Sequence, residues 1–411
     1  MLNFLFQNTP LMFLVQDFWR DEAYSYTLSI RPLQDILFLT VRDFSPPLYY
    51  ILLHYWMKIF GTGEIAIRSL SFLFYLLTAV TAYYFLKNIF KFNRKSSLLY
   101  TILVAINPIL LYFAFEARMY SLLALFAILS SYFYLSKKRV LYAVFTALGL
   151  YTHYFMILVV GVQLAHAFLT NTRKKLKNQL VNLSVPIFLF LPWLVYLLSS
   201  KNITSESFWI KPLTLLDIFN FFGYLYTGYE ADYRFYDKPI LAFSLFFLIV
   251  TALGIFLYLK NKSIKKDSPF LYVSLWALLP PLSILLVSFV KPLFLSRYLI
   301  FSSLALVIFT VYVLRKIQTL PRLILILFLL LITFHYHNLQ IKYRTKAHFN
   351  KVVKEIKQLS NKEDLLYVED ELDYFTAVYY FGESRVFIYN KPYNEIRNFV
   401  GKVLIPENKV T

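Results

Sequence analysis

Residues 297–337 read RYLIFSSLALVIFTVYVLRKIQTLPRLILILFLLLITFHYH, two apolar runs parted by Arg315, Lys316 and Arg322. Each run approaches the ~20 residues that a helix needs to cross the hydrocarbon core of a bilayer. A short basic break between two such runs is the signature of a cytoplasmic loop. The unit recurs upstream. Basic residues gather at Lys87, Lys91, Arg94 and Lys95; at Lys137, Lys138 and Arg139; at Arg173, Lys174, Lys175 and Lys177; and at Lys260, Lys262, Lys265 and Lys266. Two apolar runs separate each neighbouring pair of clusters, so an even number of crossings returns every cluster to one side. About ten spans are predicted, near 65–88, 96–115, 118–136, 140–153, 155–170, 180–199, 240–259, 270–290, 297–314 and 322–337. Between Val140 and Leu169 the chain is short for two crossings, and thinning of the bilayer or burial within the bundle must compensate.

Composition agrees. The 411 residues are 59% hydrophobic and 16% charged, against roughly 45–50% and about 25% in soluble domains. A water-soluble enzyme is excluded, and the fold class is an α-helical polytopic membrane protein. A net charge of +19 would suit a nucleic-acid partner, but its confinement to the breaks between apolar runs assigns it to membrane orientation instead. With no cysteine, the chain has no disulfide, thiolate nucleophile or cysteine-based zinc site. It shows no signal-peptide pattern, internal repeat or low-complexity tract.

If the basic loops are cytoplasmic, the outer side receives residues 1–63, the turns near Glu116 and His153, the loop Ser199–Pro239, the turn near Arg297 and everything after His337. Three regions follow: an outer first loop with an interfacial helix over 1–63, a transmembrane bundle over 64–337 and a small outer α/β appendage over 338–411. In the appendage, helices are predicted over His348–Leu359 and Tyr374–Phe381. Extended segments are predicted over Leu365–Val368, Val386–Tyr389 and Lys402–Ile405. Residues 1–16, broken by Asn8, Thr9 and Pro10, are too short to span.

The unusual polar residues lie on that outer side. The first loop sets Asp21 and Glu22 beside Trp19 and Tyr24; such a carboxylate suits general-base work, although alone it also reads as a solvated acidic turn. Pro46-Pro47-Leu48-Tyr49-Tyr50 opens an amphipathic pattern with His54 and Lys58 on its polar face, as expected of an interfacial helix. Asn107-Pro108 precedes Glu116-Ala117-Arg118-Met119-Tyr120, an acid and a base at the outer end of an apolar stretch. Ionisable groups at such depth are costly and mark function, and at i, i+2 each needs its own partner. Tyr151-Thr152-His153-Tyr154 sets a histidine in an aromatic turn, which alone reads as a hydrogen-bonded core residue. Ser296-Arg297-Tyr298 opens an apolar run where a lipid phosphate would lie.

In that order these motifs resemble the GT-C glycosyltransferases over roughly residues 15–315, especially family 39 and the aminoarabinose-transferase-like group, kin of the protein O-mannosyltransferases. The family's first helix, ahead of the Asp-Glu loop, has no counterpart here, so a helix preceding residue 1 is expected. The resemblance implies transfer of a sugar, with inversion, from a polyprenyl-phosphate donor to a hydroxyl-bearing or amine-bearing glycan, lipid or protein. Transfer would take place on the extracytoplasmic face of a bacterial-type plasma membrane. Asp21, with Glu22 beside it, falls on the family's first-loop acid, and Glu116 on its second outer acid. Arg118 and Arg297, with Tyr298, fall where the donor phosphate would bind; His153, Tyr120 and His54 are substrate-binding candidates. No cofactor is required, although Asp21 and Glu22 suit magnesium or manganese if a divalent ion is used. The alternatives are a lipid-linked sugar flippase, which would carry repeats and mid-membrane charges, and a polysaccharide ligase.

Overall fold

The computed structural model describes residues 6–200, 210–230, 236–344, 346, 348–361 and 363–411. Each of the ten predicted segments coincides with a helix or a pair of helices, but they are not equivalent. Among the described residues six helices are long and apolar enough to cross a membrane: Glu64–Asn88, Arg173–Ser199, Asp237–Lys260, Ser268–Ser288, Ser296–Arg315 and Thr319–Tyr343. The second segment is a broken pair, Arg94–Ala105 and Pro108–Ala114, bent by 70°. Counting that pair as one gives seven, and three shorter apolar helices make up the ten predicted segments. Proline 108 has no N–H to continue the first helix. Asn107 restarts the chain by accepting hydrogen bonds from the Ile109 and Leu110 amides, while its own amide donates to Ser303 Oγ at 3.0 Å.

Tyr120–Leu135, Arg139–Leu150 and Met156–Thr170 are shorter apolar helices, and polar side chains tie them together. Gln163 donates to Ser130 Oγ at 2.8 Å and accepts from Tyr142 at 2.9 Å, while Tyr272 donates to Ser131 at 2.8 Å. Such bonds join helices where the hydrophobic effect between them is weak. Ser296–Arg315 is apolar on all sides and 89% buried, the central post of the bundle; Thr319–Tyr343, 17% buried, turns its leucines outward as a lipid-facing helix does. This is a multi-pass integral membrane protein.

Residues 6–63 fold into short helices, chiefly Arg20–Ser29, Leu33–Arg42 and Leu48–Phe60, the last beginning directly after Pro47. In the appendage, strands β1 (Leu366–Val368) and β2 (Val386–Ile388) pair in parallel, joined through helix Tyr374–Phe381. The expected strand at Lys402–Ile405 is instead a 3-10 turn over Lys402–Leu404. The reason is Gly401, at φ +84°, packed so closely on Tyr24 that a Cβ there would sit 2.4 Å from Cε2 of that ring. The third extended contact comes from Val410, which bridges Ile388.

First loop and appendage, far apart in sequence, are packed on each other. Tyr380 accepts from the Phe18 amide at 2.7 Å, Arg20 pairs with Asp373 at 3.1 Å, and the Phe18 and Tyr379 rings lie 4.5 Å apart. The appendage therefore forms one wall around helix Arg20–Ser29.

Candidate functional site

Successive residues on a helix point about 100° apart, and Asp21 and Glu22 separate accordingly. The Asp21 side chain is 36% exposed, whereas that of Glu22 is fully buried. Glu22 Oε1 accepts from Arg68 Nε at 2.7 Å and from the Ala117 amide at 3.1 Å. Its Oε2 accepts from Arg68 Nη2 at 2.7 Å and from Lys346 Nζ at 2.5 Å. Burial alone would raise this carboxyl, but the Arg68 and Lys346 charges overcome it and hold the group down at about 2. The Glu22 carboxylate is thus saturated with donors, which leaves Asp21 as the open acid of the pair.

Glu116 sits in the turn between Pro108–Ala114 and Tyr120–Leu135 and is 1% exposed, with neither carboxylate oxygen hydrogen-bonded among the described residues. Burial, with Glu22 and Asp21 nearby, pushes it up to about 6 against the pull of Lys346 and Arg297. Arg118 leaves that turn in another direction. It reaches Ser25 Oγ at 3.5 Å and Tyr50 OH at 3.4 Å, with its guanidinium 5.9 Å from the Tyr24 ring. Of the two i, i+2 residues, only Arg118 finds its own partners.

Arg297 stands between two carboxylates, Asp21 at 3.8 Å and Glu230 at 3.6 Å, separations of ion pairs rather than hydrogen bonds. Beside it Tyr298 packs on His153, Phe155 and Tyr120 at ring separations of 5.1, 5.3 and 6.4 Å. His153 Nδ1 accepts from the Phe155 amide at 3.1 Å, which assigns its proton to Nε2. Burial, reinforced by Arg118 and Arg297, pushes it down to about 3, so the ring is neutral. His54 lies elsewhere. Its Nδ1 donates to the Ser29 carbonyl at 2.8 Å, about 12 Å along the helix from Asp21, and ties two first-loop helices together.

Four residues of this region escape sequence reasoning. Arg68, buried in a spanning helix, carried a signal as a lone charge in an apolar run. Lys346, Arg344 and Glu230 did not: they follow or interrupt apolar segments as ordinary surface charges do. Arg344 stacks 3.5 Å over Tyr112, which lies one turn ahead of Glu116.

Magnesium or manganese on Asp21 and Glu22 would have to displace the Arg68, Lys346 and Ala117 donors, and no group of three or more His, Cys, Asp or Glu side chains fit to hold a metal gathers among the described residues. That donor set suits a buried ion pair better than a cation.

Residues 45–197 match the family of dolichyl-phosphate-mannose-protein mannosyltransferases, a stretch that includes Glu116, Arg118 and His153 but neither Asp21 nor Arg297. ArnT from Cupriavidus metallidurans bound to undecaprenyl phosphate superposes with a TM-score of 0.65 at 12% identity, covering 100% of this chain and 89% of that one. The chain shares the fold of this ArnT. The apo state of the same ArnT gives 0.63 at 13% identity over 92% of this chain and 82% of that one. The apo oligosaccharyltransferase of Archaeoglobus fulgidus gives 0.58 at 12% identity, over 90% of this chain and 60% of that protein. No curated protein matches the sequence. The helix and turn carrying Asp21, Glu22 and Glu116 thus lie within a fold that ArnT uses with a polyprenyl phosphate bound.

Proposed function

We propose that this GT-C protein transfers a sugar from a polyprenyl-phosphate donor to an acceptor nucleophile, with inversion, on the extracytoplasmic side of a bacterial-type plasma membrane. The observation that carries the reading is the pairing of one open carboxylate, Asp21, with a nearly buried guanidinium, Arg297, at the outer end of the central helix. An acceptor hydroxyl must lose its proton as it attacks the anomeric carbon, and Asp21 takes that proton. The leaving group is a lipid phosphate, already a weak base, so no general acid is needed, unlike the two-carboxylate arrangement of glycosidases. Arg297 and Arg118 stabilise the charge that develops on the phosphate oxygens. His153, neutral with Nε2 protonated, offers one further donor, and the Tyr120 and Tyr298 rings wall the sugar. Glu116 serves as a second carboxylate for substrate hydroxyls. Glu22 acts by position, holding Arg68 and Lys346 and through them the floor of the site; His54 has no substrate contact in this scheme.

Arg297 supplies the test of donor binding. Lysine keeps the charge but loses the two parallel donors of the guanidinium, so Arg297→Lys should retain partial activity. Arg297→Ala should lose about 2–5 kcal/mol of donor binding, as expected for a charged hydrogen bond in a poorly solvated site. Titration with a polyprenyl-phosphate sugar decides the matter: equal affinity for the parent and Arg297→Ala would make this residue a simple interface anchor.

Orientation has its own test. Single cysteines introduced at Lys175 and at Asn361 should react with an impermeant maleimide from opposite faces of the membrane, Asn361 from outside. Modification of both from the outside would overturn the topology and with it the extracytoplasmic site.

A further inference from the structure

A cationic cavity of about 300 Å³ opens at the other end of the helix that carries Arg297. Arg315 closes that helix, ~27 Å from Arg297 at the rise of an α-helix. The cavity is lined by Lys91, Phe92, Asp267, Tyr312, Arg315 and Lys316, with Ile89 and Phe90 at its apolar edge. It lies where helices Glu64–Asn88 and Ser296–Arg315 end and Ser268–Ser288 begins, all three long enough to cross the membrane, so it sits at the depth of one headgroup layer.

Its charge is unbalanced. Three cations face one carboxylate, and that carboxylate is occupied: Asp267 Oδ1 accepts from the Phe270 amide at 3.1 Å as the cap of Ser268–Ser288, and its Oδ2 accepts from the Tyr312 hydroxyl. Arg315 stacks 3.9 Å over the Phe92 ring, which fixes the plane of the guanidinium, and its Nη1 is buried with no hydrogen-bond partner. A buried donor without an acceptor is costly, and Arg315 lines the cavity with its guanidinium plane held on the ring, a group that pairs well with phosphate oxygens. Lys316, 5.2 Å from the Tyr312 ring, and exposed Lys91 add charge around the same opening.

We propose that this cavity binds the phosphate of an anionic phospholipid headgroup in the leaflet opposite the transfer site, with Arg315 as its anchor and the acyl chains leaving over Ile89 and Phe90. Anionic lipids concentrate on the cytoplasmic leaflet, the side to which the basic loops are assigned. The proposal does not depend on the transfer reaction, and its readout is lipid binding.

Native mass spectrometry of the full chain in detergent, titrated with dioleoylphosphatidylglycerol or dioleoylphosphatidylcholine, measures it. The parent should hold one phosphatidylglycerol about tenfold more tightly than phosphatidylcholine, and Arg315→Gln should abolish that preference. Lys91→Gln, on an exposed turn where folding is not at risk, should weaken phosphatidylglycerol severalfold. A parallel series with millimolar inorganic phosphate separates the two sources of phosphate. Competition that removes the bound lipid and depends on Arg315 would assign the site to free phosphate rather than to a headgroup, overturning the lipid part. Parental phosphatidylglycerol affinity in Lys91→Gln and in Arg315→Gln would overturn the site altogether; if Arg315→Gln cannot be obtained folded, Lys91→Gln alone decides.

Discussion

Asp21→Asn is expected to slow sugar transfer by about 10²–10⁴-fold, the range for loss of a positioned general base, while donor affinity stays near the parental value. The substitution keeps size and removes basicity. Donor binding is spared because Asp21 and Arg297 stand 3.8 Å apart; neutralising the acid leaves the guanidinium more available to phosphate, not less. Single-turnover transfer with saturating donor, set beside a separate donor titration, distinguishes chemistry from binding. Transfer at the parental rate would remove Asp21 from the mechanism. Glu22 gives the contrast, because its two oxygens already accept four hydrogen bonds. Any loss of activity in Glu22→Gln should accompany a loss of stability, whereas Asp21→Asn should unfold at the same temperature as the parent.

Arg68→Ala should be the most destabilising single change in the outer half of the molecule, by about 3–5 kcal/mol, the cost of leaving one member of a buried pair without the other. Both side chains are fully buried and meet through two parallel hydrogen bonds of 2.7 Å. Arg68 also donates to the carbonyls of Leu14 at 2.9 Å and Asp17 at 3.1 Å, so its loss frees the start of the first loop as well. The pair leaves a pH signature of definite sign. Glu22 is held at about 2 in the folded protein against 4.5 for an unperturbed carboxyl, so its contribution is present above pH 4.5 and lost as pH falls toward 2. That difference is worth on the order of 3 kcal/mol. Glu116 carries the opposite sign. Raised to about 6, it favours the folded state most below pH 4.5, and that advantage is lost as pH rises to about 6. Thermal unfolding in detergent from pH 3 to pH 8 should show both limbs. Glu22→Gln should erase the acid limb and Glu116→Gln the other; an unchanged acid limb in Glu22→Gln would mean that the ion pair contributes no net stability.

The helices were legible because hydropathy and charge bias are local properties of the chain. A run such as Leu323–Thr333 can be stable only in lipid or in a core, whatever surrounds it. The span predicted over 96–115 ran straight through Asn107-Pro108, where the structure bends by 70° and Asn107 bonds the Ser303 hydroxyl of a helix almost two hundred residues away. The pair between Val140 and Leu169, helices Arg139–Leu150 and Met156–Thr170, was the weak point of the span count, since length alone does not say whether a short apolar helix lies across a bilayer or within a bundle.

By itself the sequence determined that this is a helical membrane protein and where its apolar helices lie, because both follow from residue order and composition. Only the tertiary structure decided that Glu22 points inward and Asp21 outward, and that Lys346, 324 residues further along, closes on Glu22. It also showed that the appendage walls the first loop, with Gly401 against the Tyr24 ring. The reason is physical: a carboxylate can be general base or buried anchor depending on how many donors surround it, and those donors are brought together by packing between segments whose separation in sequence carries no record of their distance in space.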